Sequence, residues 1–369
     1  MMTEKKVRVG IFSTSWWADA MYLPALMGHG GAEVTAVCGR NQERADAFAA
    51  QWDIPNAYTN VEQMLDEAPL DAVIVATRND SHYEISMAAL ERGLHVLCEK
   101  PMAFTAAEAD AMVAKAIEKG VTTMVPFTYR FMPTNRYIKE LVDSGYIGRP
   151  YHLNLRYYTG YARAGEYLWR FDQGKAGPGG CLGDIVSHFL YLAEWFFGEI
   201  VAVNCQLGWM VERPLLNPEG EQYKQGDDTA MLMLTFASGA QGFVQATTIA
   251  YEDTPFGQIH QMELHGSEGT IHSYVDWDKT QTVSGARVGE GPTKPLTIPE
   301  HVWGKVRRDT VHNTYKDVFR VEGHMIGEWI TAVSQNQPAD PDFIAGAHIQ
   351  RVIDAALESD AKKCQILVK

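Results

Sequence analysis

Short apolar stretches alternate with amphipathic ones along the first 125 residues of the chain. The apolar stretches are rich in Val, Ile and Ala and predict strands, at Val7–Phe12, Glu33–Cys38, Asp71–Thr77, His95–Cys98 and Val121–Phe127. The amphipathic stretches predict helices, at Ala18–His29, Gln42–Trp52, Val61–Glu67, His82–Arg92 and from a capping box at Thr105 to Lys119. Because strand–helix alternation is typical of βαβ units, this part of the chain predicts a parallel sheet.

A different pattern begins near residue 126. A helix is predicted from Pro133 to Asp143, a strand at Tyr151–Tyr158, and an apolar helix at Asp184–Phe197 behind a glycine-rich stretch. Strands then dominate, with hairpins predicted at 231–249 and 261–274, before helices return at 319–335 and 346–358 and a last strand at 365–368. Much of the segment 252–308 contains Gly and Pro and stays unassigned. We therefore predict two domains, 1–126 and 127–369.

Composition limits the classes of partner. The chain has 32 Lys and Arg against 46 Asp and Glu, a formal charge of 32 − 46 = −14, and its 46% hydrophobic residues are enough for sizeable cores. Because phosphate neutralisation needs clustered Lys and Arg, we expect no nucleic-acid partner. No apolar stretch reaches the roughly 18 residues of a membrane helix, and the start carries no signal-peptide pattern, so we expect no membrane partner.

The cysteines and histidines show no metal-ligand spacing. The five Cys are odd in number and scattered without a CxxC pair, and the twelve His form neither HExxH nor HxH. We therefore expect no metal, and reduced thiols in a cytoplasmic protein.

The turn after the first predicted strand is a candidate dinucleotide site. Ligands of parallel sheets bind at the carboxyl ends of the strands, and a dinucleotide turn commonly reads G-x-G-x-x-G. Here Ser13, Ser15 and Ala18 stand at the three glycine positions. Small residues still let backbone amides at a helix N-terminus approach a pyrophosphate. The alternative is a plain polar turn into a helix.

The end of the second predicted strand bears on the choice of nucleotide. NAD enzymes usually carry Asp or Glu there, bound to the ribose 2′-hydroxyl. Here Gly39 removes the carboxylate that would repel a 2′-phosphate, and Arg40 can pair with that phosphate. If a dinucleotide binds, the pair favours NADP, with NAD still possible. Otherwise Arg40 is an exposed, solvated arginine.

Five stretches of the chain carry motifs that belong together. They are Leu23-Pro24-Ala25-Leu26, the strand 71–77 with Arg78-Asn79-Asp80-Ser81-His82, Val96–Pro101 with its E-K-P motif, Tyr129–Pro133, and Gly180–His188 with D-x-x-x-H. In these stretches the chain resembles the glucose–fructose oxidoreductase / inositol dehydrogenase / MocA (Gfo/Idh/MocA) family over essentially its whole length. It departs from the family pattern at the Ser/Ser/Ala turn, at Tyr22, where a His is common, and at Arg78, where a Pro is common.

The resemblance implies an α/β fold, with an N-terminal Rossmann dinucleotide-binding domain and a C-terminal α/β domain that has a large, mostly antiparallel sheet. It also implies NAD(P)-dependent chemistry on CH–OH groups of a small molecule, and a homodimer or homotetramer. The residues expected at the cofactor are Ser13, Thr14, Ser15, Trp16, Trp17, Gly39, Arg40, Thr77, Arg78, Asn79, His82, Glu99, Lys100 and Arg130. The residues expected at the substrate by resemblance are Asp184 and His188. Trp169 and Arg170, which precede the D-x-x-x-H motif by a short loop, are expected there as part of an aromatic wall suited to a carbohydrate ring, the alternative being residues that only pack at a domain edge.

Three side chains are expected to be catalytic, namely Lys100, Asp184 and His188. By resemblance Lys100 lies beside the nicotinamide, where lost solvation and the positive ring disfavour its ammonium form, so that it can take the hydroxyl proton. Glu99 would orient Lys100 or contact the nicotinamide ribose. Asp184 and His188 lie four residues apart, on one face if the segment is a regular helix. Without the resemblance they would be an N-cap Asp and a core His.

The leading hypothesis is an NADP(H)-dependent oxidoreductase that transfers a hydride between nicotinamide and a secondary alcohol or carbonyl of a sugar, polyol or derivative. Two alternatives stay open: a non-catalytic dinucleotide-binding sensor or regulatory protein on the same fold, and an enzyme that acts on an imine or a dihydrodiol. Lys100, Asp184 and His188 together favour an enzyme, because a sensor has no need to keep all three.

Overall fold

The computed structural model describes residues 6–369. The strands in this range are β1 Val7–Phe12, β2 Ala32–Cys38, β3 Asn56–Tyr58, β4 Ala72–Val75, β5 His95–Cys98, β6 Thr123–Met124, β7 Pro150–Tyr158, β8 Ile200–Gly208, β9 Thr229–Phe236, β10 Gln241–Thr247, β11 Ile259–Gly266, β12 Gly269–Asp276, β13 Thr280–Arg287, β14 Lys294–Leu296 and β15 Ile366–Leu367. The α-helices are α1 Leu23–Gly28, α2 Gln42–Gln51, α3 Val61–Glu67, α4 His82–Glu91, α5 Ala106–Lys119, α6 Pro133–Asp143, α7 Gln173–Ala176, α8 Ser187–Phe197, α9 Glu300–Trp303, α10 Val311–Arg320, α11 His324–Gln335 and α12 Phe343–Lys362.

The first sheet has the strand order β3-β2-β1-β4-β5-β6, with every pairing parallel. This is the order of a Rossmann sheet. Its central strands are covered on both faces, which is why Ile11, Val73 and Leu97 are all fully buried and why the sequence runs are apolar throughout. The predicted Rossmann fold of this part of the chain is confirmed.

Local capping explains where the helices of this unit begin. Thr105 and Glu108 form the predicted capping box at the start of α5, and Gly120 ends that helix in the left-handed conformation.

After β1 the chain forms a π-helical turn, Ala18–Tyr22, before α1, whereas the sequence predicts one regular helix there. A single π-turn inside a helix is a local feature that the apolar period does not reveal.

The second sheet has the order β14-β13-β12-β11-β7-β10-β9-β8-β15, and β7 and β10 are its parallel pair. Both predicted hairpins, β9–β10 and β11–β12, are antiparallel neighbours. Along β9 the residues Leu232 and Leu234 are buried whereas Met231 and Met233 are exposed, so one face of the sheet covers a core and the other is open. The predicted large, mostly antiparallel sheet is confirmed.

The chain separates into two compact units, and the first unit contains a segment from near the C-terminus. It holds the described residues up to Phe127 together with Lys316–His348, and the second holds Thr128–Tyr315 and Ile349–Lys369. In the first unit the Val125 amide donates to the Pro341 carbonyl at 2.9 Å, and α11 packs on α1 and β1. The domain boundary predicted from the sequence, at residue 126, places Lys316–His348 in the second domain. That boundary stays a prediction.

Three elements lie in the stretch that the sequence left unassigned, namely β13, β14 and α9. The helix predicted over 319–335 is two helices, because the chain turns at Gly323, which has a φ of 63°. Glycine takes this left-handed conformation at little cost, and it separates α10 from α11.

Candidate active site

The turn after β1 is closed by its own serine side chains. The Ser15 amide donates to Ser13 Oγ at 3.0 Å, and the two hydroxyls are 2.7 Å apart. The Ala18 amide approaches Ser15 Oγ at 3.4 Å, where the helical segment starts. Hydroxyl groups thus shape a turn that glycines shape in the common motif, while Trp16 is largely exposed beside it.

The end of β2 approaches this turn closely at Gly39. A Cβ atom on Gly39 would lie 2.8 Å from Thr14 Cγ2, so a larger residue would displace the turn. The neighbouring Arg40 is exposed, and among residues 6–369 no carboxylate pairs with its guanidinium. The arrangement packs the β2 end against the β1 turn and places an exposed positive charge at the point where a Rossmann sheet binds the adenine-side ribose.

The carboxylate of Glu99, directly after β5, is held by three donors. The Trp17 indole donates to Glu99 Oε1 at 2.5 Å, the Tyr22 hydroxyl donates to the same oxygen, and the Lys100 amide donates to Oε2 at 3.1 Å. Glu99 is buried and Lys100 is half-buried, and the Lys100–Pro101 peptide bond is cis. In the sequence Tyr22 stands out only as a departure from the family pattern. No pattern near Tyr22 indicates its contact with Glu99, which is 77 positions away.

Behind this loop lies His82, which is fully buried. Its Nδ1 is 2.9 Å from the Pro101 carbonyl oxygen and its Nε2 is 3.2 Å from the Thr77 carbonyl oxygen. Burial lowers the pKa of His82, so the ring is neutral and donates from one nitrogen at a time. The structure thus ties His82 to the backbone of two loops, and its predicted role as a cofactor contact stays a prediction. In the loop that follows β4, Arg78 pairs with Asp80 at 2.8 Å.

In the second unit Asp184 lies on a π-helical turn, Leu182–Val186, that precedes α8. The Tyr161 hydroxyl donates to Asp184 Oδ2 at 2.8 Å, and Arg170 Nε is 3.4 Å from the same oxygen. The guanidinium of Arg170 in turn lies 4.7 Å from the ring centre of Trp169. Three residues predicted at the substrate therefore lie together here, and Tyr161 joins them.

His188 lies on the first turn of α8 and is buried. Its ring centre is 4.6 Å from that of Tyr129, with the planes tilted by 45°. Because a π-turn intervenes, Asp184 and His188 do not share one regular helix as the sequence predicts. The predicted roles of both residues, and that of Arg130, whose guanidinium meets the Tyr191 hydroxyl at 2.5 Å, stay predictions.

A buried aromatic cluster surrounds the Tyr129 ring. The Tyr129 and Tyr157 hydroxyls are 2.7 Å apart, Gln258 Nε2 donates to Tyr129 at 3.3 Å, and the same amide lies 3.0 Å from His260 Nε2. Burial lowers the pKa of His260 to about 3, so it is neutral. Only tertiary packing brings His260 to this cluster, so no local pattern in the sequence indicates it.

The side chain of Asp227 fixes the glycine-rich stretch that leads to Asp184. Asp227 is fully buried and accepts from the amides of Gly180 at 2.7 Å and Leu182 at 2.9 Å. A Cβ atom on Gly180 would lie 2.5 Å from the Asp227 carbonyl oxygen, which explains the glycine. Burial raises the pKa of Asp227 to about 6, although the two amide donors act in the opposite direction.

Its neighbour Asp228 forms a fully buried ion pair with Arg213 at 2.6 Å. The Arg213 guanidinium also lies 4.1 Å from the Phe171 ring centre, and Asp228 accepts from the amides of Met210 and Val211. Neither Asp227 nor Asp228 is among the site residues expected from the sequence, although an Asp-Asp pair directly before β9 is a local signal.

The described part of the chain offers neither a group of metal-ligating side chains nor a membrane-spanning helix. Within residues 6–369 no three or more His, Cys, Asp or Glu side chains are grouped so that they could hold a metal ion. In the same range no helix combines the length and the apolar composition needed to cross a membrane.

Two family models match the sequence in succession. The model described as an oxidoreductase family with an NAD-binding Rossmann fold, GFO_IDH_MocA, matches residues 7–127. The model of the GFO/IDH/MocA C-terminal domain matches residues 135–272. Together they include the β1 turn, the loop after β5 and the residues around Asp184.

Similar proteins include several that act on sugars or polyols. A levoglucosan dehydrogenase of Pseudarthrobacter phenanthrenivorans is 31% identical over 88% of this chain and 86% of its own length. A scyllo-inositol 2-dehydrogenase (NAD(+)) of Bacillus subtilis is 32% identical over 65% of this chain and 66% of its own. The solved structure of a levoglucosan dehydrogenase with NADH and levoglucosan superposes with a TM-score of 0.86 at 26% identity, covering 99% of this chain and 100% of that one.

Proposed function

Since this chain belongs to the Gfo/Idh/MocA family of oxidoreductases, we propose that it transfers a hydride between a nicotinamide dinucleotide and a secondary alcohol or carbonyl of a sugar or polyol. It is an oxidoreductase of CH–OH groups, as its sugar and polyol dehydrogenase relatives are. The observation that carries the substrate class is the Asp184 cluster of the second unit, in which Tyr161 and Arg170 approach one oxygen of the carboxylate.

The residues at the first sheet's carboxyl edge suit a dinucleotide. The β1 turn begins with the small residues Ser13, Thr14 and Ser15, and Gly39 lets the β2 end approach this turn closely. When bound, the nicotinamide supplies the hydride acceptor or donor. Lys100 then holds or takes the proton of the reacting hydroxyl. The strand order of the first sheet reverses between β1 and β4, and Lys100, after β5, lies on the opposite side of this point from Gly39, after β2.

In the second unit the Asp184 carboxylate suits the hydroxyls of a neutral sugar ring. Tyr161 and Arg170 both approach Oδ2 and fix the side chain, and a carboxylate is an acceptor suited to sugar hydroxyls. Trp169, under the Arg170 guanidinium, offers the kind of aromatic face on which a sugar ring packs. His188 beside Tyr129 serves as a second proton donor or acceptor in this proposal.

NADP as the preferred cofactor is the finer part of the proposal. The family is NAD-binding, and relatives have been solved with NADH. The support for NADP is the absence, at the β2 end within residues 6–369, of a carboxylate beside Gly39, together with the exposed Arg40 guanidinium.

The catalytic role of Lys100 is tested with a panel that contains levoglucosan, myo-inositol and simple aldoses, followed by the absorbance of reduced nicotinamide. Lys100→Ala is expected to lower turnover about 100- to 10,000-fold, the usual contribution of a positioned acid or base, while NADH still binds. Lys119→Ala, at the exposed end of α5, controls for the loss of a positive charge. Unchanged turnover in Lys100→Ala contradicts the role, and turnover on imines or dihydrodiols alone contradicts the substrate class.

A homo-oligomer is also proposed. The pairing register places Met231, Gln245, Arg156, Gln261 and Tyr274 in one row across the open face of the second sheet. Met231 and Tyr274 are exposed in the isolated chain. A second copy of the chain would cover this face.

A further inference from the structure

The π-turn after β1 brings two hydrogen-bond donors to one oxygen atom. Trp17 directly precedes the turn and Tyr22 ends it, five residues later, and both donate to Glu99 Oε1. The turn itself is closed by the Leu23 amide, which donates to the Ala18 carbonyl across five residues. We call Trp17, Tyr22 and Glu99 the carboxylate clamp.

This geometry depends on the π-turn. In a regular α-helix, residues five apart point in directions that differ by about 140°, so an indole and a phenol so spaced diverge. The wider π-turn brings both side chains to the same side. Single π-turns are frequent at functional sites, and here one converts two diverging side chains into a pair that holds a carboxylate.

The carboxylate clamp joins two loops at the carboxyl edge of the first sheet. Its donors follow β1, and its acceptor follows β5, with β4 between them in the sheet. Glu99 is 7% exposed, and its second oxygen accepts from the Lys100 amide. The orientation of the Glu99 carboxylate, and through it the start of the Lys100 loop, is thus set by side chains of the proposed pyrophosphate turn.

We propose that Trp17 and Tyr22 are positioning residues, which hold Glu99 so that it accepts hydrogen bonds from the diol of the nicotinamide-side ribose. The inference rests on the proposed function. The adenine-side ribose belongs at the β2 end, so the other half of the dinucleotide extends toward β4 and β5, where Glu99 lies. A carboxylate is the acceptor suited to a ribose diol, and one whose torsion angles are fixed loses less entropy on binding.

The test compares two ligands that differ by the nicotinamide half. NADH and ADP-ribose are titrated into the wild type, Tyr22→Phe and Trp17→Phe, with nicotinamide fluorescence and calorimetry as readouts. Each variant is expected to weaken NADH binding about 10-fold, as for the loss of a hydrogen bond to a charged group, and to leave ADP-ribose affinity unchanged. Tyr83→Phe, on α4, removes a hydroxyl from the same unit and is the matched control.

Tyr22 is fully buried whereas Trp17 is partly exposed, so Trp17→Phe keeps the test valid if Tyr22→Phe folds poorly. Equal weakening of NADH and ADP-ribose, or no change in either, overturns the carboxylate clamp. A wild type that binds neither ligand overturns the proposed function as well, and so the two failures are distinguishable.

Discussion

Replacing Asp227 by Asn is expected to change how the free energy of unfolding of the second unit depends on pH. The Asp227 carboxylate is fully buried and holds the amides of Gly180 and Leu182, in the stretch that leads to Asp184. Asn has nearly the same shape but does not titrate, so the comparison isolates the protonation of this one group.

The magnitude follows from the pKa of Asp227, which burial raises from 3.8 to about 6. A raised pKa means that folding favours the protonated carboxyl, so the contribution is complete below about pH 4 and is lost as the pH rises through about 6. About two pH units at 1.36 kcal/mol each amount to about 3 kcal/mol. On going from about pH 4 to about pH 7, Asp227→Asn should therefore gain about 3 kcal/mol relative to the wild type.

Urea unfolding followed by tryptophan fluorescence measures this difference at pH values on either side of the sequence pI of about 5.3, where solubility is lowest. Glu199→Gln removes an exposed carboxylate from the same unit and controls for the loss of a negative charge. A difference between Asp227→Asn and the wild type that stays constant with pH would refute the reasoning, because Asp227 would then titrate alike in the folded and unfolded chains.

Two further predictions concern cofactor choice and assembly. NADPH should bind more tightly than NADH to the wild type, and Arg40→Ala should lower the ratio of the two affinities about 10-fold, because a charge-assisted contact to the 2′-phosphate is lost. Equal affinities of the wild type for NADPH and NADH in a fluorescence titration contradict this prediction. Light scattering should give a mass above the 41.1 kDa of one chain. Met233→Asp puts a charge on the open face of the second sheet and should lower the measured mass. A monomeric wild type contradicts the proposed oligomer.

The strands whose ends form the proposed cofactor site could be located from the sequence. The predicted bounds Val7–Phe12 and His95–Cys98 agree with β1 and β5. Buried parallel strands are apolar throughout, and that signal is local. The second sheet's hairpins were found for a similar reason, since short Gly-containing turns separate their alternating strands.

What the sequence could not supply depends on contacts between distant residues. Tyr22 reaches Glu99 across 77 positions, and Asp227 reaches Gly180 across 47. Neither contact produces a periodic pattern in the sequence. β13 and β14 were missed because their residues are largely polar, with a Gly and a Pro within them, and such strands are defined by pairing with their neighbours.

The return of Lys316–His348 to the first unit has a consequence for synthesis on the ribosome. Although β1 is made first, the helix α11 that packs on it and on α1 is made after the whole of Thr128–Tyr315. At about 5–20 residues per second, that intervening stretch takes about 10–40 s to translate. During this interval the surface of β1 and α1 that α11 later covers stays open on the nascent chain. The nucleotide-binding unit therefore begins to form early but is completed late, and chaperones have a defined surface to protect until then.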